Sequence, residues 1–236
     1  MLYPLSYEGG NRHPTGVIDA VIFDMDGVLI DSEPIWQDVE MAVFGDLGVA
    51  LTRDLCRQTM GLRVNEVVAY WRARHSWTGA DDAEVERRIV DGVVELITRH
   101  GRLVPGAGDA IDFFASRVNR LAICSSSYHR VIDAVLERCG LTGRFAVVHS
   151  AEDDEVGKPD PAPYLSTARK LAVAPSRCLA IEDSPNGVAA AKAAGMRCIA
   201  IPEPGDEHDT RILRADLVLP SFAVLDDDGW MRLAAE

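Results

Sequence analysis

The chain has 236 residues, 47% of them hydrophobic, and a formal net charge of −13. That length accommodates one sizeable α/β domain and a smaller one, with an ordinary globular composition. The acidic balance excludes non-specific binding to nucleic acid or to anionic membranes, so a bound phosphate needs local devices: a metal ion, a lysine and backbone N–H groups.

Residues 1–16 read as a flexible tail without the apolar stretch of a secretory signal. The run 18–23 reads as a strand buried on both faces, and Asp24 and Asp26 follow it within Asp24-Met25-Asp26-Gly27. Two like charges on the same side of a pleated backbone repel, so this pair asks for a cation and for chemistry, although an Asp-Gly pair also forms turns. Residues 32–104 carry no strand pattern and read as an inserted helical module. Its stripes are Ile35, Val39, Ala42 and Val43, then Val85, Ile89, Val93, Leu96 and Ile97. Glu33-Pro34 and Val104-Pro105-Gly106 mark its edges as hinges over which the module closes on the acidic strand end. Gly106-Ala107-Gly108 reads as a helix start.

Further strands are expected at 120–124, 145–149, 178–182 and 197–201. Helices are expected at 128–138, stopped by Cys139-Gly140, and at 160–171, with Asp160 as N-cap and Pro161 first in the helix. A third, alanine-rich helix at 185–194 ends at Gly195, and Asp226-Asp227-Asp228 reads as a solvated turn. Strands alternating with helices predict a Rossmann-like three-layer α/β core around a parallel sheet, with an α-helical bundle cap inserted after the first strand. The core takes residues 17–31 and 105–236, and the cap residues 32–104. The five cysteines form no CxxC pair and read as thiols of a reducing compartment. With no run long enough to span a membrane, they place the protein in the cytoplasm. The histidines have no zinc-site spacing.

Four chemistry-bearing stretches follow strands: Asp24-Met25-Asp26-Gly27, Cys124-Ser125-Ser126-Ser127, Gly157-Lys158-Pro159 and Ile181-Glu182-Asp183-Ser184. In open parallel sheets, ligands bind outside the carboxyl ends of the strands. In order and spacing these stretches resemble the signature motifs of the haloacid dehalogenase superfamily of aspartate-nucleophile phosphotransferases. Within it, Gly27-Val28-Leu29-Ile30-Asp31-Ser32-Glu33-Pro34-Ile35-Trp36, Met60-Gly61-Leu62-Arg63, Trp71 and Trp77 look like the bacterial phosphatases of 2-deoxyglucose 6-phosphate and hexitol phosphates.

The resemblance implies that Asp24 is the nucleophile, forming an aspartyl-phosphate, and that Asp26 is the acid and base. The superfamily's dehalogenases lack the second acid, which favours a phosphoryl substrate over a haloacid. Mg²⁺ is expected on the Asp24 and Asp183 side chains and the Asp26 carbonyl, with Glu182 beside them orienting a metal-bound water. Ser125, the Ser126 N–H and Lys158 are expected on the phosphate, Ser127 being read as loop. Gly61, Leu62, Arg63 and Trp36 are expected to face the leaving group, Arg63 through a contact to a hydroxyl or the phosphate. Trp36 stands where related β-phosphoglucomutases carry a histidine, which favours hydrolysis over the alternative, a hexose-phosphate mutase. A catalytically retired sugar-phosphate-binding protein is the third reading. The expected partner is a small phosphorylated metabolite, with no nucleic acid, membrane or obligate protein partner.

Overall fold

Short, fully apolar runs need both faces covered, and in this chain they pair side by side. Among the residues described by the computed structural model, 18–203 and 205–235, strands β1 (Ala20–Phe23), β2 (Arg120–Ser125), β3 (Val147–Ser150), β4 (Cys178–Glu182), β5 (Arg197–Ala200) and β6 (Leu217–Val218) form one sheet. The order is β3-β2-β1-β4-β5-β6, all parallel. The expected tail, residues 1–16, lies outside the described residues. The edge strand β6, two half-buried residues long, was not legible as a strand.

The alternation along β1 sends its side chains to two separate layers. Val21 and Phe23 face one layer with Ile123, Ile181 and Ile199, while Ala20 and Ile22 face the other with Ala122, Cys124, Ala180 and Cys198. The first layer holds helices α5 (Ala107–Ala115), α6 (His129–Arg138) and α9 (Asp227–Ala235). The second holds α7 (Ala162–Leu171) and the alanine-rich α8 (Pro185–Ala193), whose small side chains match the small residues beneath them.

Between β1 and α5 run α1 (Glu33–Asp46), α2 (Arg53–Cys56), α3 (Val64–Arg72) and α4 (Asp82–His100). Val85, Ile89, Val93 and Ile97 are buried as their spacing predicts, and α4 packs against α1, α3 and α6. On α1 the expected stripe is only half right: Ala42 is exposed, and the buried residues are Gln37, Val39, Glu40 and Phe44. A polar pair lies on that face because it lines a cleft rather than a dry core. The two connections lie side by side, with Asp31 N donating to Arg102 O (3.0 Å) and Val104 N to Leu29 O (3.0 Å).

Two terminal details differ from expectation. The Pro161 residue is itself the N-cap of α7, and Asp160 supports the helix by accepting from Ala162 N (2.8 Å). The Asp226–Asp228 stretch is a helix start rather than a turn, since Asp226 Oδ1 accepts from Gly229 N (2.8 Å) and acids are favoured at a helix N-terminus. Four of the five free cysteines are buried. No helix among the described residues is long and apolar enough to cross a membrane.

Candidate active site

The Asp24 residue continues the β1 line by one residue, its N–H donating to Ile181 O (2.9 Å). The chain then turns sharply: Leu29 N and Ile30 N both return to Met25 O. Gly27 makes that turn possible in two ways. Its φ of +77° is in the left-handed region, and a Cβ there would stand 2.0 Å from Asp183 Oδ2. The turn separates the two acids, so that Asp24 is buried while Asp26 lies half-buried on the cleft wall.

From the loop after β3, Lys158 enters this buried space, and its peptide to Pro159 is cis. Its Nζ donates to Asp24 Oδ1 (2.5 Å), Glu182 Oε1 (2.6 Å) and Cys124 O (3.0 Å), which uses all three ammonium protons. The Glu182 carboxylate is fully buried and also accepts from Tyr164 OH (2.7 Å) and, through Oε2, from Asp183 N, Ser184 N and Ser184 Oγ at 3.3–3.4 Å. With both oxygens engaged in this way, Glu182 is a structural counter-charge to Lys158. Room for it comes from Gly187 in α8, where a Cβ would lie 1.9 Å from the Glu182 Cδ. Tyr164 was missed in the sequence because an aromatic on an apolar helix face reads as core; only its partner reveals a polar role.

Ligand atoms of Asp24, Glu182 and Asp183 lie within 4.8 Å of one another. Burial raises the Asp24 carboxyl to about 7, against the pull of Lys158 and with Glu182 and Asp26 adding to the rise. Burial likewise pushes Asp183 well above the usual carboxylate range, reinforced by Asp24 and Glu182. Such a cluster holds its negative charge at neutral pH only beside a further cation, and an all-oxygen donor set suits a hard divalent ion. With Glu182 saturated, Asp24 and Asp183 are the carboxylates free to ligate it.

The serines after β2 are placed differently with respect to the cleft. Ser125 is 1% exposed, its Oγ accepting from Ser127 N (3.0 Å), and it does not line the cleft, whereas Ser126 and Ser127 do. The Asp26 carboxylate accepts from Ser127 Oγ (2.7 Å), Ser32 Oγ (2.6 Å) and Trp36 Nε1 (2.8 Å). Two segments, the start of α1 and the loop after β2, thus fix the orientation of one half-buried acid. Ser32 and Ser127 carried no signal beyond that of ordinary loop serines.

Above these groups, α1 and the turn before α3 close a cleft of about 840 Å³, counted out to open solvent. Trp36, Gly61 and Leu62 line it as expected. Arg63 does not. Its guanidinium donates to Glu66 Oε1 (2.9 Å) and to the carbonyls of Asp154 (3.2 Å) and Glu155 (3.0 Å), clasping the loop that leads to Lys158. The N-cap position of Arg63 on α3, with Glu66 three residues on, turns the side chain away from the cleft. That loop is further held by His149, whose Nε2 lies 2.6 Å from Asp154 Oδ2, and by Ser166 Oγ, which donates to Asp154 Oδ1 (2.8 Å). Glu33, read from the sequence only as part of a hinge, lines the cleft as well, and so do Gln37, Glu40 and Glu203, which had not been singled out. The available signal was Gln37 and Glu40 lying on one helical face with Phe44, where a polar residue needs a reason.

Comparison with known proteins is consistent with this geometry. A family model described as haloacid dehalogenase-like hydrolase matches residues 18–195. The chain is 39% identical to hexitol phosphatase B of Escherichia coli over 207 residues, 87% of this chain and 93% of that protein. It is 33% identical to a phosphorylated carbohydrates phosphatase of Thermotoga maritima over 183 residues, 77% of this chain and 84% of that protein. A crystal structure of a CbbY mutant from Rhodobacter sphaeroides in complex with xylulose-(1,5)bisphosphate superposes with a TM-score of 0.80 at 29% identity, covering 88% of this chain and 96% of that one.

Proposed function

Because the chain belongs to the haloacid dehalogenase-like hydrolase family, we propose that it is a Mg²⁺-dependent phosphomonoesterase acting on small sugar or sugar-alcohol phosphates through an aspartyl-phosphate on Asp24. The observation that carries this reading is the division of labour between the two acids. Asp24 is fixed by Lys158 at the floor of the cleft, and Asp26 is held by Ser32, Trp36 and Ser127 on its wall. The likeness to a hexitol phosphatase supports the substrate class.

Asp24 attacks phosphorus in line while Lys158 neutralises the attacking carboxylate and charge on the phosphoryl oxygens. Asp26 gives a proton to the departing sugar oxygen and then takes one from the water that attacks the phosphoenzyme. Mg²⁺ when bound supplies charge stabilisation between the substrate phosphate and the carboxylates, with Asp24, Asp183 and the Asp26 carbonyl as its protein ligands. The Ser126 N–H, at the mouth of α6, is placed to donate to phosphate, and the Ser125 hydroxyl, which accepts from Ser127 N, keeps its own proton to donate, while Ser127 spends its hydroxyl on Asp26.

In this reading residues 32–104 are the substrate-selecting cap on a core of 17–31 and 105–236. The partner in this reading is a small phosphorylated metabolite, and the free thiols support a cytoplasmic setting. The mutase alternative is disfavoured by Trp36, whose indole N–H donates to Asp26 and shuttles no proton. Incubation with a panel of sugar and sugar-alcohol phosphates, with Mg²⁺ or with EDTA, tests the proposal by free phosphate release. Mg²⁺-dependent release is expected; conversion to an isomeric phosphate alone, or binding without turnover, overturns it.

A further inference from the structure

We propose that the helical wall of the cleft selects esters of neutral polyols, with the Glu40 carboxyl bonded to a substrate hydroxyl, and rejects esters whose alcohol carries a second anion. This inference rests on the phosphatase reading above and names which of its substrates the site takes.

Glu40 is 7% exposed, lines the cleft, and its Oε2 is buried without a hydrogen-bond partner. The Cys56 thiol, which lines the same cleft, neighbours the Glu40 carboxyl. A buried polar atom left unpaired is costly, and on a residue that lines a cleft a ligand hydroxyl relieves that cost. Burial pushes the Glu40 carboxyl up to about 8, so at neutral pH it both donates and accepts, as a hydroxyl does. The neighbouring groups are already engaged. Gln37 Nε2 donates to Glu33 Oε1 (2.7 Å), and Gln37 Oε1 accepts from Arg53 Nη1 (2.8 Å).

The charge of this wall excludes anions. Glu33 and Glu203 line it beside the protonated Glu40, and among the described residues Lys158 is the one cation that does. Lys158 is committed to Asp24 and Glu182, and Arg63 to Glu66 and two carbonyls. Arg53 is bonded to Gln37 and Asp38. Arg57, near enough to act on Glu33 and Glu203, is exposed and outside the lining. A second phosphate would therefore meet carboxyl groups with no guanidinium fork to receive it.

The test compares kcat/KM of the Mg²⁺-loaded enzyme for sorbitol 6-phosphate, fructose 1,6-bisphosphate and p-nitrophenyl phosphate. Wild type is expected to favour the monophosphate over the bisphosphate by roughly a hundredfold, since like charges brought together cost several kcal/mol. Glu40→Leu is expected to lower the ratio of sorbitol 6-phosphate to p-nitrophenyl phosphate turnover about tenfold, the worth of one good hydrogen bond, and Glu40→Gln to restore most of it. Equal turnover of mono- and bisphosphate overturns the inference without any variant, even where the Glu40→Leu protein does not fold. A wild-type ratio in Glu40→Leu overturns the role of Glu40 while leaving the phosphatase reading intact. Hydrolysis of p-nitrophenyl phosphate with no sugar phosphate turned over overturns the sugar-phosphate reading, and this inference with it.

Discussion

The floor of the cleft and the wall above it treat polar groups in opposite ways. On the floor, Lys158 spends every proton and Glu182 both oxygens on partners within the chain. On the wall, Glu40 keeps a buried oxygen with no partner at all. A group that stabilises the same charge in every turnover gains from being oriented in advance. A group that recognises a leaving alcohol keeps capacity to spare, at a cost in stability that binding offsets.

The contrast is open to attack from the floor upward. Asp24→Asn is expected to abolish phosphate release, by at least about a thousandfold, with an unchanged circular dichroism spectrum, because the swap is nearly isosteric. Substantial residual turnover would move the nucleophile elsewhere. Lys158→Met leaves Asp24 and Glu182 without their buried counter-charge and is expected to cost about 3–5 kcal/mol in chemical denaturation; a neutral result would mean that the floor is less committed than its geometry indicates.

The wall is probed by pH. Glu40 has a carboxyl raised from 4.5 to about 8 in the folded protein. Between those values the folded state retains a proton that the unfolded chain releases, so this group's contribution to stability falls as pH rises through that window. Denaturation midpoints of wild type and Glu40→Gln are expected to diverge accordingly, with the variant gaining on wild type toward pH 8 and parallel profiles counting against a buried acid. The smallest effect is expected at the seam between floor and wall. Arg63→Ala removes two bonds to the loop of Lys158 and is expected to cost about 1–2 kcal/mol and to raise KM more than it lowers kcat; a larger fall in kcat would place Arg63 nearer the chemistry.

Much of the floor was legible in the sequence. Apolar runs such as Val21-Ile22-Phe23 mark their own strands, and an acid or serine directly after one is placed by topology at the carboxyl edge, whereas Lys158 reaches it from farther along the loop after β3. The wall was not legible in the same way. Whether Glu40 faces solvent or cleft depends on which side of α1 meets its neighbours, and the direction of Arg63 depends on carbonyls at Asp154 and Glu155, distant in sequence. Tyr164 and Ser127 likewise take their roles from partners that no local pattern names.

The two glycines that make room for carboxylates follow Asp26 and Asn186, and Asp-Gly and Asn-Gly are the dipeptides most prone to spontaneous succinimide formation. That ring closes when the glycine nitrogen attacks the preceding side-chain carbonyl carbon. Here Gly27 N donates to Ile30 O (2.9 Å) and Gly187 N to Ser184 Oγ (3.0 Å), while the Asn186 amide oxygen is held by Arg211 (2.9 Å). Both nitrogens are occupied for as long as the chain is folded, so it is unfolding rather than elapsed time that exposes the site to chemical ageing.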